Sequence, residues 1–238
     1  MSRKFFSRAA LIAGGGILAL TALAALDGVS LQHKPKVGDT AKFSVNASFE
    51  IDQGTVLFSQ TRSDKVTDVK ADGTYTMITK TNDTKISLGG MDIPGSPDTE
   101  DTAEFGPDGV ARTFSSNAPL NSFSYRIANL EAFKAPADPV KVGDEIKYEI
   151  PADTKKDTPA VKAVYKVEAL EKVKDWDTVK LSFKVEETSG MTPASIKGTS
   201  WVSTADGSMV KSEQVWKDVQ PDGAPSPVSG KYTIERTK

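Results

Sequence analysis

Lys-Phe-Ser-Val-Asn-Ala-Ser-Phe-Glu-Ile, at residues 42–51, has an apolar side chain at every second position. Successive side chains of a β-strand point to opposite faces of the sheet. The alternation therefore predicts a strand with one face against a core and the other face in solvent. Gly54 is predicted to end it, and shorter runs of the same kind follow along the chain.

Turn signals separate these predicted strands. Asp72-Gly73, Pro107-Asp108-Gly109 and Asp206-Gly207 each lie between two apolar runs, and glycine adopts the positive φ that tight hairpins require. Asp222-Gly223 precedes a proline-rich loop, and residues 232–236 are predicted as the last strand. This spacing predicts a mainly β fold: an antiparallel sheet forming a curved half-barrel or a barrel.

One segment has helical periodicity. Apolar residues in the range 121–133 recur near a spacing of 3.6, with Asn121 or Ser122 as the N-cap and Pro136 beyond the end. The sequence therefore predicts at most one or two short helices.

A tetrapeptide occurs twice, because Lys-Val-Gly-Asp stands at residues 36–39 and again at 141–144. An alternating run follows each copy, which indicates an internal repeat. The interpretation is two similar β units, about 37–135 and 136–238, that share one core. Each Val-Gly-Asp is predicted to form a turn that introduces a strand, with glycine allowing the bend and aspartate binding local amides.

The N-terminus has the three parts of a secretory signal. Residues 1–8 are basic, and residues 9–26 form an apolar stretch without any charged residue. Ala22 and Ala24 are the small residues that a signal peptidase requires. We expect a signal peptide at residues 1–24, a tether at 25–36 and an exported β domain at 37–238. The alternative is a retained membrane anchor, since the apolar run is near the lower length limit of a spanning helix.

Residues 2–8, Ser-Arg-Lys-Phe-Phe-Ser-Arg, resemble the bacterial twin-arginine export signal. Lys4 stands where that signal has its second arginine, and Ser7 stands where it has leucine. The resemblance implies export after folding, and an ordinary basic segment of the general secretory route is the alternative.

Composition excludes several classes of function. The formal net charge is −2 and there is no basic stripe, so the chain lacks the charge pattern of a nucleic-acid-binding protein. There is no cysteine, which excludes disulfides, thiolate metal sites and a cysteine nucleophile. The single histidine, His33, lies in the predicted tether and is expected to face solvent, which argues against a Ser-His-Asp triad or an imidazole metal site.

Acidic residues cluster between Gly90 and Gly109. They are Asp92, Asp98, Glu100, Asp101, Glu104 and Asp108. Calcium binding and glycoside hydrolysis both use carboxylates, but the spacing matches no calcium-loop template and no pair can be selected for hydrolysis. The interpretation is a solvated acidic loop. No catalytic, cofactor-binding or metal-binding residue is predicted, and no cofactor.

Trp201 lies in a stretch that carries a family resemblance. Residues 198–213, Gly-Thr-Ser-Trp-Val-Ser-Thr-Ala-Asp-Gly-Ser-Met-Val-Lys-Ser-Glu, resemble a hairpin of bacterial exported β proteins of the lipoprotein-carrier (LolA/LolB-like) type, and of uncharacterised exported families with a Val-Gly-Asp motif. The resemblance implies a curved antiparallel sheet whose concave apolar face holds acyl chains. Trp201 itself is interpreted as a core anchor or a cap of a barrel end.

These observations predict an exported protein, periplasmic or extracellular, that is not an enzyme and that binds a lipid or another apolar ligand. The alternative is a structural or protein-interaction module of the cell envelope, and a carboxylate hydrolase ranks third. Expected partners are an apolar ligand or an envelope protein, not nucleic acid, with membrane contact only through an uncleaved signal. A carrier requires an apolar cavity, whereas an interaction module has a filled core.

Overall fold

A computed structural model describes residues 28–95, 97–220 and 226–238. The predicted signal peptide, the first residues of the predicted tether, and the Asp222-Gly223 signal lie outside the described residues. The described part contains twelve strands and one helix, α1 (Ser122–Glu131). The strands are β1 (Thr40–Ile51), β2 (Gly54–Val69), β3 (Tyr75–Leu88), β4 (Met91–Ile93), β5 (Thr99–Phe105), β6 (Ala111–Ser116), β7 (Glu145–Ile150), β8 (Val161–Val173), β9 (Trp176–Glu187), β10 (Ser195–Ser203), β11 (Met209–Val219) and β12 (Val228–Arg236).

All twelve strands form one antiparallel sheet. Its order is β6-β5-β3-β2-β1-β12-β11-β10-β9-β8-β7, and β4 pairs with β3 beside this path. The first and last strands therefore meet in the middle of the sheet, while β6 and β7 are its two free ends. The predicted fold class is confirmed, since the sheet does not close and its architecture is consistent with a curved half-barrel.

The predicted alternation in β1 is confirmed by its burial. Phe43, Val45 and Ala47 are buried, whereas Lys42 and Asn46 are exposed. The hairpins predicted at Asp72-Gly73, Pro107-Asp108-Gly109 and Asp206-Gly207 join β2 to β3, β5 to β6 and β10 to β11. In each of them the glycine has a positive φ, as the turn chemistry requires.

The main core lies on the inner face of β7–β12, under α1. Val179, Leu181 and Val185 alternate along β9 and are fully buried there. Aromatic rings fill the space above them, because Tyr165 stacks on Phe183 at 5.2 Å and packs against Phe133 at 4.9 Å between ring centroids. A smaller cluster of Phe43, Val45 and Ile234 connects β1 to β12.

Both copies of Lys-Val-Gly-Asp form the same turn. The Asp39 carboxylate accepts the Lys36 amide at 2.8 Å, and the Asp144 carboxylate accepts the Lys141 amide at the same distance. Gly38 and Gly143 have φ values of 93° and 99°. The predicted role of each copy is confirmed, because β1 and β7 begin directly after these turns.

The predicted helix is confirmed, with Asn121 as its N-cap. The Asn121 side chain accepts the Ser124 amide at 3.0 Å, which satisfies one of the free amides at the start of a helix. Arg126 then fixes α1 to the sheet, since its Nε and terminal nitrogen donate to the two carboxylate oxygens of Glu187 at 2.8 and 2.7 Å.

Residues 29–34 lie against the sheet along part of the segment predicted as a tether. Val29 and Val140 exchange two backbone hydrogen bonds of 2.8 and 2.9 Å, and Leu31 is buried in the main core. The expectation that His33 faces solvent is wrong. The His33 ring is half-buried and packs edge-to-face against the Tyr75 ring, with 5.2 Å between the ring centroids. Backbone hydrogen bonds of Val29 to Val140 and of Lys34 to Asp206 hold the chain in place on both sides.

The titration of His33 tests this placement. Burial lowers the pKa of His33 below 6.5, although Asp206 and Asp39 raise it and Arg236 lowers it further. The folded protein then binds this proton less readily than the unfolded chain, so stability is expected to fall as the pH drops below about 6.5. His33 is the only histidine, so its imidazole NMR signals are unambiguous. A titration midpoint at or above the value in the urea-unfolded chain would contradict the placement.

Candidate functional site

The gap in the sheet contains a groove of about 540 Å³, here called the seam groove. One wall is residues 110–114 at β6, and the other is residues 150–156 with Thr158, which follow β7. The floor is formed by Tyr125, Ala128 and Asn129 of α1 and by Ala132, which directly follows the helix. The volume lies in the range typical of small-molecule sites.

Apolar and polar residues share the lining of the seam groove. Ala128 and Ala132 are small, so the helix leaves room between the two sheet ends. Phe114 and Ile150 contribute larger apolar side chains from the opposite walls. The groove can therefore accommodate an apolar group against α1.

Cations stand on both walls of the seam groove. Arg112 is on the β6 wall, where a terminal nitrogen lies 2.8 Å from the Asp108 carboxylate. Lys156 is on the other wall, 3.9 Å from Asp153 and 5.1 Å from the Tyr125 ring centroid. The neighbouring Lys155 is exposed, and within the described ranges no carboxylate pairs with its ammonium group.

A buried hydroxyl group in the wall has no hydrogen-bond partner. Thr158 exchanges two backbone hydrogen bonds of 3.0 Å with Asp153, which closes the loop that carries the lysines. Thr158 is only 5% exposed, and its Oγ1 has no partner among the described residues. Less than 1 Å² of this oxygen is exposed, so the hydroxyl is closed off from the groove and is a local cost to stability.

A second polar cluster lies on the inner face of β2 and β3. Arg62 donates two hydrogen bonds of 2.9 Å to Asp64, which also accepts 2.8 Å from Thr79. Burial lowers the pKa of Arg62, but Asp64 outweighs this effect and the net shift is upward. Each member of this cluster has a partner, so it is a structural network rather than a free site.

Glu131, at the end of α1, interacts electrostatically with Arg62. Reduced solvation raises the pKa of Glu131, and Arg62 opposes the rise. Glu131 is nevertheless exposed to solvent, which limits the size of that shift.

The inner face of β2 and β3 is less covered than that of β7–β12. Phe58 and Ile86 are aligned with the buried Ala47 across three strands, yet both are only half-buried. α1 packs against β9 and β10, on the other side of the sheet's middle. Apolar side chains of the N-terminal half thus remain accessible on the inner face.

The structure does not bring the acidic cluster together. Glu100 pairs with Lys80 at 2.7 Å, and Glu104 pairs with Lys70 at 2.5 Å. Asp101 points to the opposite face of β5, where it accepts from Ser116. The interpretation as an acidic loop is wrong for residues 99–105, which form β5, and within the described ranges no group of three acids or histidines could hold a metal.

Two of the tryptophans occupy opposite faces of the sheet. Trp201 is buried on the outer face, where its indole donates 2.5 Å to Glu171 and the Lys180 and Lys211 ammonium groups cover its ring at 5.5 and 5.0 Å. Trp216 faces inward, 5.2 Å from the Tyr232 ring. Trp201 is therefore an anchor covered by cations and does not line the seam groove.

Sequence reasoning missed the seam groove. Lys155 and Lys156 stand between Asp153 and Asp157 in a polar stretch that resembles any solvated loop. Their partners across the groove are some forty positions earlier, and no local pattern connects the two segments. Only the two prolines, Pro151 and Pro159, set this segment apart in the sequence, and they indicate a loop and not a groove wall.

No protein-family model and no curated protein matches the sequence. Among solved structures, the chain is similar to a "putative lipoprotein" from Parabacteroides distasonis ATCC 8503, with 12% sequence identity, a TM-score of 0.37, and coverage of 89% of this chain and 100% of the other. Across the described residues, no helix is long and apolar enough to cross a membrane.

Proposed function

We propose that this protein is an exported, non-catalytic binding protein of the bacterial cell envelope that holds an apolar ligand in the seam groove. The observation that carries the proposal is the groove of about 540 Å³ at the gap between β6 and β7. The small Ala128 and Ala132 on its floor and the apolar Phe114 and Ile150 on its walls suit a ligand with an extended apolar part. The signal-like N-terminus supports export.

The two halves of the sheet are filled to different degrees. Rings and aliphatic side chains pack the inner face of β7–β12, which gives the fold a rigid half. Phe58 and Ile86 on the other half are only half-covered. Phe58 and Ile86 do not line the seam groove, so the apolar surface that a ligand would bury there is that of the groove itself, at roughly 25 cal/mol per Å².

A protein-interaction role is the second candidate, favoured by β4. Met91 and Ile93 are 69% and 42% exposed on this short strand, beside the main path of the sheet. Exposed apolar side chains on a free strand suit docking to another protein. This role predicts a co-purifying protein rather than a small ligand.

The first experiment is native mass spectrometry of the protein purified from its own host, followed by lipid extraction. A bound acyl species in near-stoichiometric amount is expected.

The site is tested by titrating the delipidated protein with monoolein, a neutral acyl ligand. Ala128→Trp fills the groove floor and should weaken monoolein binding at least about tenfold, equivalent to about 1.4 kcal/mol.

Ala137→Trp is the matched control, since Ala137 is exposed and outside the groove. It should bind monoolein like the unmodified protein, and both variants should keep the circular dichroism spectrum of the unmodified protein. A protein that carries no ligand from its host and takes up neither monoolein nor oleate would refute the proposed function. A tightly bound protein in the same spectra would favour the interaction role.

A further inference from the structure

We infer that the gap between β6 and β7 receives an extended polypeptide strand of a partner protein, which pairs with the free edges of both strands. The observation that carries the inference is a structural repeat, in which β12 already fills the corresponding gap elsewhere in the sheet. The inference goes beyond the proposed function, because it concerns the backbone edges that border the seam groove and not its apolar lining.

The two halves of the chain build equivalent hairpins. The β1–β2 and β7–β8 hairpins each begin at a Lys-Val-Gly-Asp turn, whose glycine N–H donates to the carbonyl of Val66 or Val167 at 2.9 and 2.8 Å. The β5–β6 and β10–β11 hairpins each turn at Asp-Gly, where Asp108 or Asp206 accepts the amide two positions on at 3.2 and 3.0 Å. β7 therefore corresponds to β1, and β6 corresponds to β11.

β12 shows what the corresponding gap contains. It lies between β11 and β1 and is antiparallel to both. After β6 the chain forms α1 instead of a strand, so the gap between β6 and β7 lacks the strand that β12 supplies at the other junction. Because β6 and β7 correspond to β11 and β1, a strand in the gap would also run antiparallel to both of its neighbours.

Lys42 and Lys147 show this correspondence at the level of single hydrogen bonds. On β1, the Lys42 N–H donates to the Lys238 carbonyl at 3.1 Å, and the Lys42 carbonyl accepts the Thr237 N–H at 2.7 Å. Lys147 has the same position on β7, three residues after the aspartate of its turn. The alternation of an antiparallel ladder directs its backbone groups away from β8, and within the described residues β7 has no strand on that side. Such an edge is a template for an added strand.

The side chains of β7 define the strand that fits beside it. Tyr148 and Ile150 are half-buried, whereas Glu149 between them is exposed. A matching strand has apolar residues at alternate positions, and a lysine or arginine opposite Glu149 would add a favourable cross-strand pair. A second copy of this chain is not the expected occupant, because its β12 is already paired on both edges.

The probe is a synthetic peptide of residues 228–238 that carries Glu235→Lys. Glu235 faces Ser44 on β1, and the corresponding residue on β7 is Glu149, which would repel it. The peptide should bind the intact protein with a Kd below about 1 mM. N-methylation at positions 233, 235 and 237, whose amides face β1 in the folded protein, should weaken binding at least about tenfold, because it removes the donors to β7.

Lys147→Pro tests the β7 edge itself. Proline lacks the N–H that faces the gap, and strands tolerate proline where that N–H points away from the ladder. This variant should bind the peptide at least about tenfold more weakly and should bind monoolein within about twofold of the unmodified protein. Lys147→Ala is the matched control, since it removes the same side chain but retains the N–H, and it should bind the peptide normally. Both variants should keep the circular dichroism spectrum of the unmodified protein.

The outcomes separate the two proposals. A peptide that does not bind, or that binds equally to Lys147→Pro and Lys147→Ala, overturns the strand inference, while monoolein binding would leave the proposed function intact. Equal binding of the N-methylated peptide also overturns it. A dimer of the unmodified protein that Lys147→Pro abolishes would overturn the assignment to a partner protein, since a second copy would then occupy the gap. Peptide binding without any uptake of acyl ligands would support the strand inference and remove the proposed function.

Discussion

Replacing Arg126 by methionine is expected to lower the free energy of unfolding by about 3–5 kcal/mol. Arg126 makes two hydrogen bonds to Glu187, whose side chain is 1% exposed. Methionine would leave that carboxylate buried with only the Ala194 amide, 2.8 Å away, as a partner. Removing one member of a buried pair is costly because the remaining charge has lost its solvation and its partner. Urea denaturation at pH 7 measures the change.

Lys184→Met provides the comparison. Lys184 pairs with Glu186, one position before Glu187 on β9, but both side chains are largely in solvent at 60% and 40% exposed. The loss of this exposed pair should cost less than about 1 kcal/mol. Equal effects of Arg126→Met and Lys184→Met would show that Glu187 is hydrated in solution and that α1 is not fixed to β9 as the structure shows.

The local features of the fold were predictable because local chemistry determines them. Alternation fixed the strand at residues 42–51, and glycine with a preceding aspartate marked each hairpin. The helix was found from its period and its cap, and Asn121 does accept the Ser124 amide. Each of these signals acts over only a few residues.

The location of the gap was not predictable, because it depends on pairing over long distances. β1 pairs with β12, nearly two hundred positions away, and the sequence of neither strand indicates this pairing. That pairing makes β6 and β7 the free ends and thereby creates the seam groove. Groove residues such as Phe114 and Ile150 carry no sequence signal that distinguishes them from ordinary strand residues.

Two corrections have the same physical origin. Glu100 and Glu104 looked like parts of a polar loop, but each forms an ion pair with a lysine and lies on β5. His33 looked like a residue of a polar tether, but backbone hydrogen bonds on either side of it hold the segment against the sheet. In both places tertiary contacts overrode a composition that suggested exposure.

Leu181→Ala should destabilise the protein by about 2–5 kcal/mol, the second large effect. Leu181 is 0% exposed at the centre of the main core, and truncation would leave a cavity under α1 that the surrounding rings cannot fill. Thermal and urea denaturation measure the loss, which should add to that of Arg126→Met only if the two sites act independently.

Leu57→Ala is the matched control, because the same side chain is removed from a position that is 52% exposed on β2. A cost within about 0.5 kcal/mol is expected there. A loss of several kcal/mol at Leu57 would mean that the outer face of β2 is covered in solution, as by a partner protein or a second copy. A small loss at Leu181 would instead place the stabilising core outside β7–β12. The two substitutions therefore test whether one half of the sheet is the rigid framework while the other half and the gap remain accessible to a ligand.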